Sequence, residues 1–227
     1  MLLEELLSRP NDYAHIAALT KGEYEVIAES NDFFILHSGV SDIYSVELRD
    51  DSLADTVTDI LKKENCDLLL TTSPAVFNRM RNGYTDSYMC YQYIFTKDFP
   101  QDSHARVIDE KDLPYVIATY HDPEYIRQLY DRKRILGYYV DNRMVGYIAF
   151  HIDSTLGALY VDPTCRRKAY GSAIVKAAIA HFSHNGLLYS HVVSDNEASI
   201  ALHRSLGAVR SLPDIYWMHR RGFSFRQ

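Results

Sequence analysis

The segment of this sequence best suited to chemistry is a basic loop between a predicted strand and a predicted helix. It reads Val-Asp-Pro-Thr-Cys-Arg-Arg-Lys-Ala-Tyr-Gly-Ser-Ala-Ile over residues 161–174. The first N–H groups of a helix have no partner inside it, and the helix dipole is positive there, so an anion such as a pyrophosphate binds at such a position. The small residues Ala169 and Gly171 would let phosphate oxygens approach the backbone. Charge-assisted hydrogen bonds are expected from three side chains, Arg166, Arg167 and Lys168.

The segments around this loop are predicted to form a sheet with helices packed against it. Alternating apolar residues between turn signals predict strands, and apolar residues spaced by three or four predict helices. In chain order the second half gives a strand at 105–108, helices at 110–120 and 123–131, strands at 135–141, 144–152 and 158–161, a long helix from Gly171, a strand at 187–193, a helix after Asn196 and a strand at 215–218.

The first half of the chain predicts a second α/β domain without a recognisable site. Helices are predicted at 2–7, 13–19, 51–63 and 74–80, and strands at 24–28, 33–37, 43–47, 67–71 and 84–95. His15 and His37 stand alone, and a lone histidine is more often a core or surface residue than a ligand. The segment 97–103 is the predicted linker. We therefore expect one domain over residues 1–100 and another over 105–222.

Composition excludes several classes of protein. The 227 residues are 47% hydrophobic and 24% charged, which is typical of a soluble globular protein and excludes a disordered chain. The net charge of −6 argues against general nucleic-acid binding. Residues 1–105 hold 8 Lys and Arg against 18 Asp and Glu, or −10, whereas residues 106–227 hold 16 against 12, or +4. The second half is therefore the candidate for binding a small anion.

Other sequence features favour a cytoplasmic protein without metal. No apolar run reaches the roughly 20 residues of a membrane-spanning helix, and Glu4 and Glu5 stand where a signal peptide carries basic residues. Cys66, Cys90 and Cys165 form no CxxC pair, so neither a zinc site nor a disulfide framework is expected. We expect no membrane partner, and the sequence leaves a homodimer open.

Two motifs in the second half resemble those of the GCN5-related N-acetyltransferases (GNAT). Val161-Asp162-Pro163 followed by the run from Arg166 to Gly171 resembles V-x-P and [RQ]-x-x-G-x-[GA], which in this family cradle the pyrophosphate of acetyl-coenzyme A (acetyl-CoA). The later family pattern Asn-x-x-[AS]-x-x-[LF]-Tyr-x-x-x-Gly-Phe resembles the run from Asn196 to Ala208. The resemblance covers about residues 105–220. The two-domain layout is also similar to the glycine N-acyltransferase branch, in which a degenerate similar fold precedes the active one.

This resemblance implies a fold, a reaction and a set of binding residues. The implied fold class is α/β (α+β), with a mixed, mostly antiparallel central sheet flanked by helices and a smaller N-terminal α/β domain that we expect to be a degenerate copy. The implied reaction transfers an acetyl or other acyl group from acetyl-CoA to a primary amine of a small molecule or amino acid by direct attack, without metal. The implied co-substrate contacts are Leu159, Tyr160, Val161, Arg166, Arg167, Lys168, Ala169, Tyr170, Gly171, Ser172 and Asn196.

The sequence departs from the family pattern at two positions. Ala169 replaces the first glycine, and alanine has a steric penalty at positive φ; if the residue is helical, as is usual at a helix start, we expect the change to be mild. His203 replaces the tyrosine that, by resemblance, acts as general acid toward the leaving thiolate. Histidine can do this when protonated, since its unperturbed pKa is about 6.5. A merely structural helix residue is the alternative for His203, and both interpretations stay open.

The general base cannot be assigned from the sequence. His151, Asp153 and His191 lie on or near the central strands and are candidates. Cys165 has no His–Asp pair spaced around it, so a covalent acyl-enzyme is not expected. Besides the N-acyltransferase, two other functions remain open: an acyl-CoA-binding sensor without catalysis, and an interaction domain that uses the fold without a co-substrate.

Overall fold

The computed structural model describes residues 1–220, which form eight α-helices and eleven strands. The helices are α1 (Leu2–Leu7), α2 (Ala14–Leu19), α3 (Ala54–Leu61), α4 (Pro74–Met80), α5 (Leu113–Thr119), α6 (Pro123–Asp131), α7 (Tyr170–Phe182) and α8 (Glu197–Ser205). The strands are β1 (Glu25–Glu29), β2 (Phe33–Ser38), β3 (Ile43–Leu48), β4 (Leu68–Thr71), β5 (Asp86–Phe95), β6 (Ala105–Val107), β7 (Ile135–Val140), β8 (Arg143–Phe150), β9 (Leu156–Val161), β10 (Leu188–Val193) and β11 (Val209–His219). None of these helices combines the length and apolar character that crossing a membrane would require.

The strands form two sheets, of which the seven-stranded one is mixed and the four-stranded one is antiparallel. A seven-stranded sheet has the order β1-β2-β3-β4-β11-β5-β10, and a four-stranded sheet has the order β6-β7-β8-β9. The pairs β1–β2, β2–β3, β4–β11, β6–β7, β7–β8 and β8–β9 are antiparallel, whereas β3–β4 is parallel. The predicted fold class, α/β with a mixed, mostly antiparallel sheet flanked by helices, is therefore confirmed.

The chain divides into two compact units that are not continuous in sequence. The first unit comprises 1–92, 192–195 and 211–220, and the second comprises 93–191 and 196–210. Strands β5, β10 and β11 each contain residues of both units, because hydrogen bonding between strands does not follow chain order. This division differs from a cut at the predicted linker, and the assignment of domains to 1–100 and 105–222 stays a prediction. Residues 221 and 222 of that predicted range lie outside the described residues.

In the second unit, the four-stranded sheet buries both of its faces. Side chains alternate along a strand, so Ile148 and Phe150 of β8 pack in one apolar cluster with α7, whereas Tyr147 and Ala149 pack in another with α5 and α6. All four side chains are buried. Burying such a side chain stabilises the folded state by roughly 1.5–3 kcal/mol for the larger ones. The two layers of helices thereby fix the position of β8 and of its neighbour β9.

The first unit uses polar side chains to close the end of a strand pair and to cap a helix. Just beyond the parallel pair of β3 and β4, Glu47 accepts hydrogen bonds from the backbone N–H and the hydroxyl of Thr72, and His15 Nε2 lies 3.1 Å from Glu47 Oε1. In the turn before α3, Asp50 Oδ1 accepts a hydrogen bond from the Ser52 N–H at 2.8 Å. Both carboxylates therefore accept hydrogen bonds from neighbouring groups of the protein itself.

Gly146 of β8 is required by close packing against β9 and α7. A Cβ atom at this position would lie 2.7 Å from Ile174 Cδ1, and it would lie nearer still to the carbonyl oxygen of Tyr160. Backbone atoms of a paired strand cannot move away without breaking the sheet. Gly171, in the same unit, provides a contrast, because a Cβ there would make only ordinary contacts of 3.9 Å with Leu202 and Val161.

We predict that Gly146→Ala lowers the free energy of unfolding by about 1–3 kcal/mol, the usual cost of overpacking. Gly171→Ala serves as the matched control and should leave the stability unchanged or slightly higher, because alanine has the better helix propensity. Urea denaturation followed by circular dichroism measures both values. Wild-type stability in Gly146→Ala would contradict this account of the packing.

Candidate functional site

Strand β9 and the part of β10 that belongs to the second unit, residues 188–191, meet at one end only. Their backbones meet in an isolated parallel bridge between Thr155 and Tyr189. Ser190 Oγ donates a hydrogen bond to the carbonyl of Leu156 at 2.7 Å, and the Tyr189 hydroxyl donates to the carbonyl of Asp153 at 2.8 Å. Beyond these contacts, no backbone pairing joins the two strands within residues 1–220. The edge of β9 that faces away from β8 is therefore open.

A β-bulge interrupts β9 beside this open edge. One residue of β8 faces two residues of β9, Ala158 and Leu159, because the register shifts between Tyr147 and Ala149. Ala158 has a φ of 50°, in the left-handed region. A bulge leaves its extra residue out of the hydrogen-bond ladder and changes the direction of the backbone groups. The sequence analysis did not predict the bulge, and Gly157 was the only signal for it.

The predicted strand contacts lie on this bulged strand. Leu159, Tyr160 and Val161 are half-buried. The Val161 carbonyl accepts a hydrogen bond from Arg166 Nε at 3.1 Å, which connects the end of β9 to the basic loop.

The loop enters α7 through residues in the left-handed conformation. Arg167 has a φ of 59°, and Ala169, which immediately precedes the helix, has a φ of 61° and a ψ of 8°. Ala169 is therefore not helical, and the condition under which we expect the loss of the family glycine to be mild is not met. An L-residue in this conformation costs roughly 1–2 kcal/mol because Cβ crowds the following carbonyl, whereas glycine has no such cost.

The first turn of α7 leaves its backbone donors accessible. This turn comprises Tyr170, Gly171 and Ser172, it contains no acidic residue, and the side chain of Ala169 provides no cap. The N–H groups of a first helical turn have no partners within the helix. Since a Cβ on Gly171 would meet nothing nearer than 3.9 Å, packing does not require glycine there. The backbone donors of this turn are therefore without partners in the helix, and the glycine has no packing reason.

Exposed positive charge surrounds the same helix start. Arg166, Arg167 and Lys168 are exposed, and none of them forms an ion pair with a carboxylate of residues 1–220. The nearby carboxylate of Asp162 is engaged elsewhere, with Thr164, Tyr115 and Arg143 as its partners. Hydrogen bonds from Thr164, helped by Arg143 and Tyr115, lower the pKa of Asp162 to about 2. The loop therefore presents unneutralised positive charge beside free backbone donors.

Asn196 has a structural role at the start of α8. Its Oδ1 accepts a hydrogen bond from the Ser199 N–H at 3.0 Å, which caps the helix. The side-chain oxygen is thus in use, while the amide nitrogen is left to donate to a ligand.

His203 lies inside the protein rather than at the surface. It is 6% exposed, and its ring packs between Tyr93 and Phe95, with centroid distances of 5.2 and 5.5 Å. Its Nδ1 lies 2.7 Å from the Ser199 carbonyl, which requires a proton on Nδ1. Burial lowers the pKa of His203, so near neutral pH the ring is neutral and Nε2 carries no proton to donate. This geometry favours the structural alternative, and the role of general acid stays a prediction.

The three candidate bases have different environments. His151 is buried, with Nδ1 2.8 Å from the hydroxyl of Tyr125. Asp153 accepts hydrogen bonds from the N–H and hydroxyl of Thr155 in the turn before β9. His191 is half-buried on β10, in edge contact with Tyr189. Sequence reasoning missed Tyr125, because only the fold brings α6 to the end of β8.

Among residues 1–220, the side chains form no arrangement that would support cysteine or metal chemistry. Cys165 is a free, half-buried thiol whose side-chain contact is with Thr164. Among residues 1–220, no group of three or more His, Cys, Asp or Glu side chains could hold a metal ion.

We predict that Ala169→Gly raises the free energy of unfolding by about 0.5–1 kcal/mol. Relief of the left-handed strain should exceed the added flexibility of the unfolded chain, which costs up to about 1 kcal/mol. Urea denaturation measures the difference. A lower stability in Ala169→Gly would show that the loop is unstrained.

We predict that part of the acid sensitivity of folding comes from His203. Its pKa is lower in the folded than in the unfolded chain, so stability is lost as pH falls below the unfolded value of about 6.5. His203→Leu should lose less stability than wild type between about pH 7.5 and pH 5.5. In His203→Leu, the buried His151 still contributes to the loss of stability at low pH, because burial lowers its pKa as well. Exposed His184→Leu is the control, and an unchanged pH dependence in His203→Leu would contradict the prediction.

Several solved structures have a fold similar to that of this chain. Similar folds include a Drosophila protein (TM-score 0.63, 17% identity, covering 84% of this chain and 75% of that one) and a GCN5-related N-acetyltransferase from Kribbella flavida (TM-score 0.57, 10% identity, 92% and 94%). A tandem GNAT protein from the clavulanic acid biosynthesis pathway is also similar (TM-score 0.50, 13% identity, 92% and 87%). No curated protein matches the sequence.

The family's sequence profile covers the region that holds the open strand edge and the basic helix start. The profile of the acetyltransferase (GNAT) family matches residues 93–208, which include β9, the loop, α7 and α8. The resemblance predicted from the two motifs is confirmed at the level of the family. The chain belongs to the acetyltransferase (GNAT) family.

Proposed function

We propose that this protein is an N-acetyltransferase that transfers the acetyl group of acetyl-CoA to a primary amine of a small molecule or amino acid. The observation that carries the proposal is the alignment of an open strand edge with an uncapped, basic helix start. An extended ligand with amide groups can add to such an edge as an extra strand. A pyrophosphate at its far end would then reach the N-terminus of α7.

The residues at the helix start fit a pyrophosphate. The N–H groups of Tyr170, Gly171 and Ser172 are without helical partners, and oxygen atoms can approach Gly171 because no Cβ fills the space. The three unpaired basic side chains of the loop add favourable charge. The left-handed conformation of Ala169 lowers the stability of the fold, so folding alone gives no reason for this helix start.

The proposed reaction needs orientation and polarisation more than it needs a nucleophilic side chain. A thioester carbonyl placed against β9 would lie near the backbone N–H groups of Leu159–Val161. The bulge changes the direction in which N–H groups at this point of the strand are oriented. A fixed N–H donor stabilises the negative charge that develops on the carbonyl oxygen. Holding the amine beside the carbonyl supplies the remaining rate advantage through proximity. Water or another group then protonates the leaving thiolate if His203 remains neutral.

An acyl-CoA-binding protein without catalysis is the second candidate. The observations that favour it are the buried, neutral His203 in place of the family tyrosine and the strained Ala169 in place of glycine. Binding of acetyl-CoA without turnover would distinguish this function from the first.

The proposal is tested first by calorimetric titration with acetyl-CoA and, separately, with free coenzyme A. We expect a single site with a dissociation constant in the micromolar range. A panel of small primary amines, amino acids and polyamines is then tested for release of free thiol from acetyl-CoA. Failure to bind either ligand would refute the proposal, and binding without thiol release would support the second candidate.

We predict that Gly171→Glu lowers the affinity for acetyl-CoA at least about tenfold, because it places bulk and negative charge where phosphates would lie. Val209→Glu is the matched control, since Val209 is exposed on β11 and the substitution changes the net charge equally. Calorimetry measures the affinities, and circular dichroism monitors the fold. Equal affinity in Gly171→Glu and Val209→Glu would move the phosphate site away from α7.

A further inference from the structure

His151 is held firmly at the closed end of the gap between β9 and β10. It directly follows β8, and its backbone N–H donates to the Thr155 carbonyl at 2.8 Å. Its own carbonyl accepts hydrogen bonds from Arg134 Nη1 at 2.6 Å and from the Ser154 N–H at 2.9 Å. Thr155 is also the residue that bridges to β10. The backbone of His151 is therefore fixed at the point where the strands diverge.

One ring nitrogen of His151 is held, and the other is not. Nδ1 lies 2.8 Å from the hydroxyl of Tyr125, and the two rings stack at 5.7 Å with an interplanar angle of 13°. Nε2 forms no hydrogen bond with any of residues 1–220. An oriented imidazole with one free nitrogen is the arrangement that a proton acceptor requires.

The free nitrogen lies against the strand that would bind the thioester. A Cβ atom on Gly157 would be 2.6 Å from His151 Nε2 and 2.9 Å from Cδ2, so only glycine allows the ring to rest on β9. Gly157 immediately precedes the bulge at Ala158 and Leu159. Asp153 lacks this combination, because its carboxylate is engaged by Thr155.

The surroundings of the ring favour its neutral form. Burial is the main cause that lowers the pKa of His151, and the charges of Arg134 and His121 lower it further, while Asp153 opposes them. Tyr120 and Tyr125 face the same space from the ends of α5 and α6, and burial raises the pKa of both hydroxyls, so they stay protonated. A neutral imidazole is available near neutral pH.

We propose that His151 is the general base that removes the proton from the attacking amine, with Tyr125 as its positioning residue. This inference rests on the proposed function. Nδ1–H donates to the Tyr125 oxygen, which leaves the Nε2 lone pair to take the amine proton. The nitrogen lone pair forms the new C–N bond, the C–S bond breaks, and the thiolate leaves with its electron pair. The imidazolium then returns the proton to the thiolate or to water.

The test compares His151→Asn with wild type and with His184→Asn, a control at an exposed histidine. Asparagine keeps an amide near the Nδ1 position but cannot act as base. For an amine found in the thiol-release screen, we expect kcat/KM to fall about 10²–10⁴-fold. The dissociation constant for acetyl-CoA should stay within about threefold of wild type. The acid limb of the wild-type pH profile should disappear from His151→Asn.

Tyr125→Phe and nuclear magnetic resonance provide a second test should His151→Asn fail to fold. Tyr125→Phe should shift the acid limb and lower kcat/KM about tenfold without weakening acetyl-CoA binding. In wild type, the Cε1–H resonance of His151 should shift when acetyl-CoA binds, whether or not an amine is turned over.

Each outcome separates this inference from the function on which it rests. Unchanged kcat/KM in His151→Asn, parallel loss of acetyl-CoA binding and turnover, or an unmoved His151 resonance would each overturn the inference. If wild type binds no acetyl-CoA, the proposed function fails and His151 has no such role. If wild type turns over amines while His151→Asn matches it, only the inference fails.

Discussion

The separation of β9 from β10 is the constraint on which the candidate site depends. Adjacent strands gain stability by pairing, and an unpaired backbone group that is buried costs about 1–3 kcal/mol. Here the strands are joined at Thr155 and Tyr189 and then diverge. Helix α7 packs on one face of the four-stranded sheet, and α5 and α6 pack on the other, so β9 is held from both sides. The bulge, the basic loop and the first turn of α7 all lie along the edge that this separation leaves open.

Local sequence signals predicted the elements well and their pairing poorly. Ser73, Asp122 and Asn196 cap α4, α6 and α8 as their residue types indicate. The predicted strand 215–218 extends over 209–219; its residues 216–219 pair with β4, and β11 is also hydrogen-bonded to β5, both far earlier in the chain. The exchange of segments between the two units has the same long-range origin, and no local pattern encodes it.

The residues of the candidate site were likewise predicted only in part from the sequence. The residues of the loop and the start of α7 were predicted from their types and order, and those of β9 from the resemblance to the family, because consecutive residues remain neighbours in any fold. The burial of His203 between Tyr93 and Phe95 was not predictable, since those residues lie on β5, more than a hundred positions away. The left-handed conformation of Ala169 was missed because alanine favours the helical region. In the first unit, Glu47 and Asp50 accept hydrogen bonds from the backbone N–H groups of Thr72 and Ser52.

The open edge of β9 also bears on how the protein behaves when it has no ligand. An exposed strand edge is a template for any extended chain, and proteins usually protect such edges with short length, bulges or charge. β9 has six residues, a bulge in its middle and a cluster of like charges just past its end. These features discourage pairing with a flat foreign strand. The irregularities of β9 thus disfavour edge-to-edge pairing of this strand with a strand of another molecule.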